Sequence, residues 1–365
     1  MRIAIVDNLP EGGAKRVVFQ QIKQLSKNHQ INYYTNQTKS IFPFAKYTDQ
    51  MKIYDLSITT NQWLARPLIE FFSFLKLRNT YQKIATEIND SDIDIVVLHH
   101  CQQTQAPWIS KFLKKPSLYF IEETLRVYYE PKLHPMDHIP VLKRWYEHLR
   151  RQLIAQIDKR NLLAATKLMT SSNYVKSEVK RCYQRAVSVN YLGVNGKIFH
   201  SSFKSYLKSQ FLFIGEKEDI NGYPLLERAL ELLSCKVEIK YVTFKNSKFR
   251  LSDSQLVKLY QSSVATLCLS HHEPFGLIAL ESMACGTPVI AIKEGGYKET
   301  VIHKQTGLLI GRNPQQLADA MELIVNDKKL RNQLAKKGML RMKQYFTWER
   351  HGEQLEKVLF FLGHN

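Results

Sequence analysis

The feature that most constrains the fold is a repeated order of short apolar runs and helical segments. Residues 3–7 form an apolar run that ends at Asp7, residues 8–13 are rich in turn formers, and a helical spacing of apolar residues leads to the next run at 31–35. This order predicts a β-α-β unit, and therefore a parallel sheet with a right-handed crossover. The same pattern predicts a long helix over 141–164 and strands at 93–98, 117–121, 167–170 and 187–191.

A second series of the same kind follows a polar stretch at residues 193–209, which we interpret as a linker. Its predicted elements are strands at 211–214, 237–242, 264–269, 289–292 and 307–310, and a helical tail over 314–362. A chain of 365 residues is too long for one ordinary core. We therefore expect an α/β protein of two Rossmann-like, doubly wound domains, residues 1–198 and residues 199–365.

The charge is strongly positive and uneven. The net charge is +19, and residues 1–200 hold 29 Lys and Arg against 16 Asp and Glu, a difference of +13. Nucleic acid, an anionic membrane and phosphorylated substrates are all attracted by such a charge. No nucleic-acid-binding motif accompanies it, so we expect no nucleic acid partner.

The cysteines and the apolar stretches bear on the compartment. Five scattered cysteines without a C-x-x-C pair fit a reducing cytosol rather than a disulfide framework or a zinc site. The chain opens directly into a strand, and the longest apolar stretch, residues 63–77, is interrupted by charges. We expect a cytoplasmic protein that is at most peripheral to a membrane.

The most informative stretch runs from His271 to Ala291, and its pattern predicts a strand end, a loop, a helix, a stop and a strand. Pro274 suits a first helical turn, and Gly286 suits the left-handed position after a helix. The amides of Phe275, Gly276 and Leu277 would then lie at a helix N-terminus, where anions bind. From the residues alone, Glu273 and Glu281 are either hydroxyl-binding carboxylates beside that site or incidental glutamates of an amphipathic helix.

This stretch closely resembles the E-P-F-G-x-x-x-x-E-x-M-A-C-G-x-P-V-I-A block of family 4 glycosyltransferases. Gly295-Gly296, Glu299, Thr306-Gly307 and the Gly12-Gly13 loop match further blocks, and the resemblance is weakest between about residues 38 and 90. It implies the GT-B fold, with two domains facing a cleft and a C-terminal helix that returns toward the N-terminal domain. It also implies transfer with retention of configuration, and without a bound metal or cofactor, from a UDP- or GDP-linked sugar.

The resemblance also implies residue roles. It places Glu273 beside the donor sugar, Glu281 on the nucleotide ribose, and the amides of Phe275, Gly276 and Leu277 near sugar and phosphate. The Gly12-Gly13 loop would approach the donor phosphates or the acceptor.

Three positions depart from the family pattern. Glu216 and Asn221 stand where relatives carry the Arg and Lys that neutralise the donor diphosphate, and Lys217 could supply one charge or be a solvated loop lysine. Glu122 stands where relatives carry a His near the reacting sugar. Glu122 could accept a hydrogen bond from substrate or be a solvated carboxylate, and His99 and His100 are candidates to replace the imidazole.

The acceptor is the least defined part of the prediction. Basic residues alternate with apolar ones in residues 63–78 and 143–167, which indicates either an anionic membrane surface or core helices with a solvated basic face. A glycan or lipid-linked acceptor at the inner face of the membrane follows from the first interpretation. The competing functions are an epimerase or phosphorylase on the same fold, and a degenerate protein that binds a sugar, lipid or partner without turnover.

Overall fold

A computed structural model describes residues 1–36, 40–56, 66–137, 139–201, 209–243 and 251–363. The chain forms two compact units. The first comprises residues 1–171, residues 175–190 and the chain from Gly352 onward, and the second comprises residues 172–174 and 191–351.

The first unit is built on a seven-stranded parallel sheet with the order β3-β2-β1-β4-β5-β6-β7. Its strands are β1 (Arg2–Asn8), β2 (Gln30–Thr35), β3 (Gln50–Ile53), β4 (Ile95–Cys101), β5 (Ser117–Ile121), β6 (Lys167–Thr170) and β7 (Ser188–Val189). Its helices are α1 (Gly13–Leu25), α2 (Arg66–Asn89), α3 (Arg126–Tyr129), α4 (Val141–Ala164) and α5 (Asn173–Tyr183), whose first two residues are assigned to the second unit. The central strands are buried along their length, as expected of a parallel sheet covered by helices.

The second unit is built on a five-stranded parallel sheet with the order β12-β11-β10-β8-β9. Its strands are β8 (Gln210–Ile214), β9 (Glu238–Val242), β10 (Ala265–Cys268), β11 (Val289–Ile292) and β12 (Leu308–Ile310). Its helices are α6 (Tyr223–Leu230), α7 (Asp253–Ser262), α8 (Leu277–Ala284), α9 (Tyr297–Thr300), α10 (Pro314–Asn326) and α11 (Lys328–Tyr345), and α12 (Trp348–Gly363) begins here. The predicted pair of doubly wound α/β domains is confirmed.

Most predicted elements are present within one or two residues of their predicted bounds, with instructive exceptions. The strands at 117–121, 167–170 and 289–292 and the helix at 141–164 are found as predicted. The sequence analysis identified neither β3 nor α2, and the apolar residues of α2 lie on more than one face of the helix. The predicted helical tail is three helices, since breaks at Asp327 and at Phe346-Thr347 divide it.

The predicted boundary between residues 198 and 199 falls inside the second unit as the structure divides the chain. Residues 191–194 already belong to that unit, because Val194 N donates to Phe346 O at 3.0 Å and the Tyr191 carbonyl lies 3.0 Å from His351 Nδ1. The end of α12 lies in the first unit, as the fold class predicts: Glu356 accepts a hydrogen bond from Asn28 Nδ2 at 3.1 Å.

A buried ion pair lies directly beneath the loop that follows β1. Lys15 Nζ donates to Asp7 Oδ1 at 2.7 Å and to Thr35 Oγ1 at 3.0 Å, and both charged side chains are fully buried. Asp7 also accepts hydrogen bonds from the Tyr33 hydroxyl and from Leu9 N. The pair thereby fixes the start of α1 against two strands of the sheet.

We expect Lys15→Met to destabilise the first unit by about 3–5 kcal/mol, because the Asp7 carboxylate would remain buried without its counter-ion. The double variant Asp7→Asn/Lys15→Met removes both charges and should recover much of that loss. Chemical denaturation followed by circular dichroism measures both. A Lys15→Met protein that unfolds at the same denaturant concentration as the wild type would contradict the expectation.

Candidate functional site

In the second unit the strand order reverses between β8 and β10, and the loops that follow these strands meet. After β8 the chain goes outward to β9 and then returns to the other side of β8 as β10. Ligands of open α/β sheets bind at such a switch point, outside the carboxyl ends of the strands. Here His271 N, in the loop after β10, donates to Ile220 O, in the loop after β8, at 2.8 Å.

Glu273 organises the turn that leads into α8. Its Oε1 accepts a hydrogen bond from Gly276 N at 3.2 Å. Gly276 adopts the left-handed conformation, with φ of 98°, and α8 begins at the next residue, Leu277. The expectation that Pro274 occupies the first helical turn is wrong, since the Glu273 side chain holds Pro274 in a turn before the helix.

The Gly295-Gly296 pair packs against the main chain of this turn. Gly296 N donates to Glu273 O at 2.7 Å. A Cβ on Gly295 would lie 2.4 Å from the same carbonyl oxygen, and Gly295 has a positive φ of 54°. Two backbones therefore approach here more closely than any side chain would allow, which fixes the main chain at Glu273.

Phe275 contributes its side chain to packing and lies just before the start of α8, which begins at Leu277. The ring is buried, and its centroid lies 5.9 Å from both Tyr191 and Phe346. The first-turn amides of α8, from Leu277 onward, have no acceptor within the helix and point out of its N-terminus. The geometry of this turn is that of an anion-binding helix start.

Glu281 lies two turns further along α8 and is buried, with 7% of its surface exposed. Its Oε2 accepts a hydrogen bond from the hydroxyl of Tyr260, on α7, at 2.9 Å. Burial, together with the neighbouring Glu281 carboxylate, raises the pKa of Tyr260 well above its usual value, so the hydroxyl stays a donor. Tyr260 thus fixes the position of Glu281, a partnership that no sequence pattern indicated.

Lys217 lies in the loop after β8 with its ammonium over two aromatic rings. The distances from Nζ to the ring centroids are 4.8 Å for Tyr241 and 5.3 Å for Tyr223. Cation–π contacts of this kind hold a lysine head at a defined place. Lys217 is exposed, so it remains a solvated loop lysine whose ammonium lies beside these two rings.

Arg312 is a second cation at this edge of the sheet, and sequence reasoning missed it. Its Nη1 donates to Leu269 O at 3.1 Å, and its Nη2 pairs with Glu294 Oε2 at 2.7 Å. Burial would raise the pKa of the Glu294 carboxyl, but Arg312 outweighs that effect and lowers it. Arg312 follows β12, and the fold brings it to the end of β10. The spacing of residues in the sequence therefore could not predict this contact.

In the first unit the strand order reverses between β1 and β4, and the candidate residues of that unit follow these strands and β5. Gly12 and Gly13 are exposed at the start of α1, where Arg16 N donates to Gly12 O at 3.0 Å. Glu122 directly follows β5 and is mostly buried, with 12% of its side chain exposed. The alternative of a solvated loop carboxylate at Glu122 is wrong, because the residue lies in a buried polar network.

That network joins Glu122 to both histidines at the end of β4. Glu122 Oε1 lies 2.8 Å from His99 Nδ1, and Oε2 lies 3.3 Å from His100 Nδ1. The other nitrogen of His100 lies 3.2 Å from Gln105 Nε2. The two histidines, which are the candidates to replace the missing imidazole, are therefore partners of Glu122.

The network shifts the pKa values of two of its members. Burial alone would raise the pKa of the Glu122 carboxyl, but the neighbouring imidazoles of His100 and His99 outweigh it and lower the pKa. Burial lowers the pKa of His100, and the Glu122 carboxylate only partly opposes this. Glu122 is therefore an anion, and His100 a neutral imidazole, at neutral pH.

The structure thus brings Glu273, Phe275, Gly276, Leu277 and Glu281 together in one loop and helix, with Lys217 on the adjoining loop. Gly12, Gly13 and Glu122 lie at the corresponding edge of the first unit. Among the described residues, no group of three His, Cys, Asp or Glu side chains is placed to hold a metal ion. In the same part of the chain, no helix is long and apolar enough to cross a membrane.

Residues 211–341 match the family described as glycosyl transferases group 1. The matched residues lie within the second unit. Relatives include the D-inositol 3-phosphate glycosyltransferase of Corynebacterium diphtheriae, 37% identical over 105 residues, and the human alpha-1,3/1,6-mannosyltransferase ALG2, 33% identical over 143 residues. These matches cover 28% and 36% of this chain, and only 24% and 34% of the respective relatives.

The fold extends the likeness over the whole chain. Sucrose-phosphate synthase from Thermosynechococcus elongatus superposes with a TM-score of 0.74 at 18% identity, covering 99% of this chain and 98% of that one. HepE from Anabaena, solved with UDP and glucose, gives a TM-score of 0.71 at 16% identity, covering 99% and 100%. The GT-B fold implied by the sequence resemblance is confirmed.

The Glu122 network should make stability depend on pH. Because the pKa of His100 is lowered in the folded protein, the unfolded chain takes up its proton first, below about 6.5. Burial of the neutral His100 therefore does not lower the free energy of unfolding above that pH, but it lowers it increasingly as the pH falls toward 5. We expect His100→Asn to flatten the decline in denaturation midpoint between pH 7 and 5.

The control is His148→Asn, since His148 is exposed on α4. This variant should retain the slope of the wild type. Equal slopes for all three proteins would show that His100 is not held neutral by burial in this network.

Proposed function

We propose that this protein is a glycosyltransferase that moves a sugar from a UDP- or GDP-linked donor to a glycan or lipid-linked acceptor, with retention of configuration. The observation that carries the proposal is the turn in which Glu273 accepts the Gly276 amide at the N-terminus of α8. It lies at the switch point of a sheet whose sequence matches the group 1 family.

The first-turn amides of α8 suit the departing diphosphate. When the bond from the anomeric carbon to the diphosphate oxygen breaks, the electron pair leaves with the diphosphate. Amides at a helix N-terminus, already oriented by the Gly276 turn, stabilise that developing charge without reorganisation. The acceptor hydroxyl oxygen then bonds to the anomeric carbon, and its proton passes to the departing phosphate.

The carboxylates suit the hydroxyl groups of the donor. Glu273 is fixed through its main chain by Gly296 and through its side chain by Gly276, so it can present a carboxylate edge to the sugar. Glu281, positioned by Tyr260, would accept from the ribose. The two do not form a glycosidase pair, since the leaving group itself accepts the proton of the acceptor.

A UDP-linked donor has support from a structural neighbour. HepE from Anabaena has been solved with UDP-glucose and shares the fold over 99% of this chain. Lys217 lies in the loop after β8, with its ammonium beside Tyr223 and Tyr241, and Arg312 contacts Leu269 O just after β10. They would offset the absence of the Arg and Lys that Glu216 and Asn221 replace.

The first unit would supply the acceptor side. Glu122, held as an anion by His99 and His100, would accept a hydrogen bond from an acceptor or sugar hydroxyl, and the exposed Gly12-Gly13 loop would allow close backbone approach. The charge of +13 in residues 1–200 favours an acceptor at an anionic surface, such as the cytoplasmic face of a membrane.

A protein that binds the donor without turnover is the second candidate. It is favoured by the placement of Lys217, whose ammonium is engaged by the rings of Tyr223 and Tyr241 and so stabilises a departing diphosphate less well. Such a protein would bind nucleotide but transfer no sugar.

Calorimetric titration with UDP, GDP and ADP tests the donor site. We expect one nucleotide to bind, and Glu281→Gln to weaken it by about tenfold, because the neutral amide is a poorer acceptor for ribose hydroxyls. Glu227→Gln changes an exposed glutamate of α6 and is the matched control. Failure of all three nucleotides to bind would reject the donor site.

Product analysis tests transfer and its stereochemistry. With the nucleotide that binds, we expect an extended acceptor whose new linkage has the anomeric configuration of the donor, measured by proton coupling constants. Inverted product would contradict retention, and bound donor that is never consumed would favour the second candidate.

A further inference from the structure

Gln105 lies in the loop after β4, in a backbone conformation that glutamine rarely adopts. Its φ is 61°, in the left-handed region. Its amide donates to Cys101 O at 2.9 Å, and its carbonyl accepts from Cys101 N at 2.8 Å and from the Tyr119 hydroxyl at 3.3 Å. Glycine would adopt this conformation without strain. A glutamine at this position therefore implies a role for its side chain.

The side chain of Gln105 reaches the loop that follows β5. Its Nε2 lies 2.8 Å from Glu123 O, 3.3 Å from Thr124 O and 3.2 Å from His100 Nε2. The two carbonyl oxygens can only accept hydrogen bonds, so the group that faces them is the NH₂ group of the amide and not its oxygen. The same NH₂ group therefore meets His100 as a donor.

This contact determines which nitrogen of the His100 ring carries the proton. His100 is neutral because burial lowers its pKa, and a neutral imidazole has one N–H and one acceptor nitrogen. Since Nε2 faces the donor of Gln105, the proton lies on Nδ1. Nδ1 is the nitrogen that lies 3.3 Å from Glu122 Oε2, so His100 presents an N–H to that carboxylate.

Without the Gln105 donor, the opposite tautomer would be favoured. The Glu123 carbonyl would lose its bond from Gln105, and His100, whose ring already interacts with the Glu123 backbone, could donate to that carbonyl from Nε2. Nδ1 would then turn a lone pair toward the Glu122 carboxylate, which would lose one of the hydrogen bonds that favour its charged form. His99, at 2.8 Å from Oε1, would be the imidazole left to hold Glu122.

We propose that Gln105 is a positioning residue for Glu122, and that it acts by holding His100 as the Nδ1–H tautomer. This inference rests on the proposed role of Glu122 toward an acceptor or sugar hydroxyl, and it adds the residue that orients that carboxylate. The tautomer of His100 does not depend on sugar transfer, so it can be measured whether or not the protein consumes a donor.

The first test is the ¹⁵N spectrum of the histidine rings in the full chain at neutral pH, because a protonated and an unprotonated ring nitrogen differ strongly in chemical shift. His100→Asn identifies the His100 signals. We expect the wild type to carry the His100 proton on Nδ1. Gln105→Met keeps the length of the side chain but lacks the donor, and should move the proton to Nε2. Gln105→Gly relieves the strained φ and should move it as well, without lowering the denaturation midpoint.

The second test is the rate of sugar transfer. We expect both Gln105 variants to lower kcat/KM for the acceptor by about tenfold, because Glu122 loses the N–H of one of the two imidazoles that face it. Nucleotide binding should be unchanged, since the donor site lies in the other unit. The matched control is Gln184→Met, because Gln184 is exposed and also has a positive φ, of 55°. It should keep the tautomer and the rate of the wild type.

The proposal is overturned if the wild-type His100 carries its proton on Nε2, or if Gln105→Met leaves that proton on Nδ1. Equal transfer rates in the wild type and Gln105→Gly would also overturn it, because the glutamine would then serve only its turn. If the wild type transfers no sugar, the proposed function fails, and the tautomer of His100 alone decides whether Gln105 positions Glu122.

Discussion

The parallel arrangement of every strand is the constraint on which the candidate sites depend. Because all strands of a sheet run the same way, all the loops that follow them fall on one edge. Where the order reverses, between β1 and β4 and between β8 and β10, two such loops diverge to opposite faces and leave a crevice. Gly12, Lys217 and Glu273 each lie in a loop of this kind, and Glu122 directly follows the neighbouring strand β5.

At the second switch point, the backbone is positioned by a series of contacts that depend on one another. The Gly295-Gly296 pair admits the Glu273 carbonyl, and the Glu273 side chain in turn bonds to the Gly276 amide. Gly276 can then take its left-handed conformation, and α8 starts with its amides aimed outward. A Cβ at either end of this chain of contacts would displace the others.

Buried charges are handled in the same paired manner in both units. Asp7 meets Lys15, Glu122 meets His99 and His100, and Glu281 meets Tyr260. Each partner comes from a different element of the fold. A partner is needed because an unpaired buried carboxylate would take up a proton and lose its charge. Glu216 and Asn221 stand where the sequence resemblance leads us to expect an Arg and a Lys, and we propose that Lys217 and Arg312 take over their charge.

The sequence alone predicted the fold class, the approximate positions of most elements, and the loop and helix that carry Glu273 and Glu281. These depend on local periodicity, on turn residues and on a contiguous motif that folds as one loop and helix. Only the tertiary structure decided that His99 and His100 hold Glu122, that Tyr260 fixes Glu281, and that Arg312 reaches the end of β10. It also revealed α2, whose apolar residues lie on more than one face of the helix. These contacts join residues 21 to 43 positions apart, and chain topology, not local spacing, sets which of them meet.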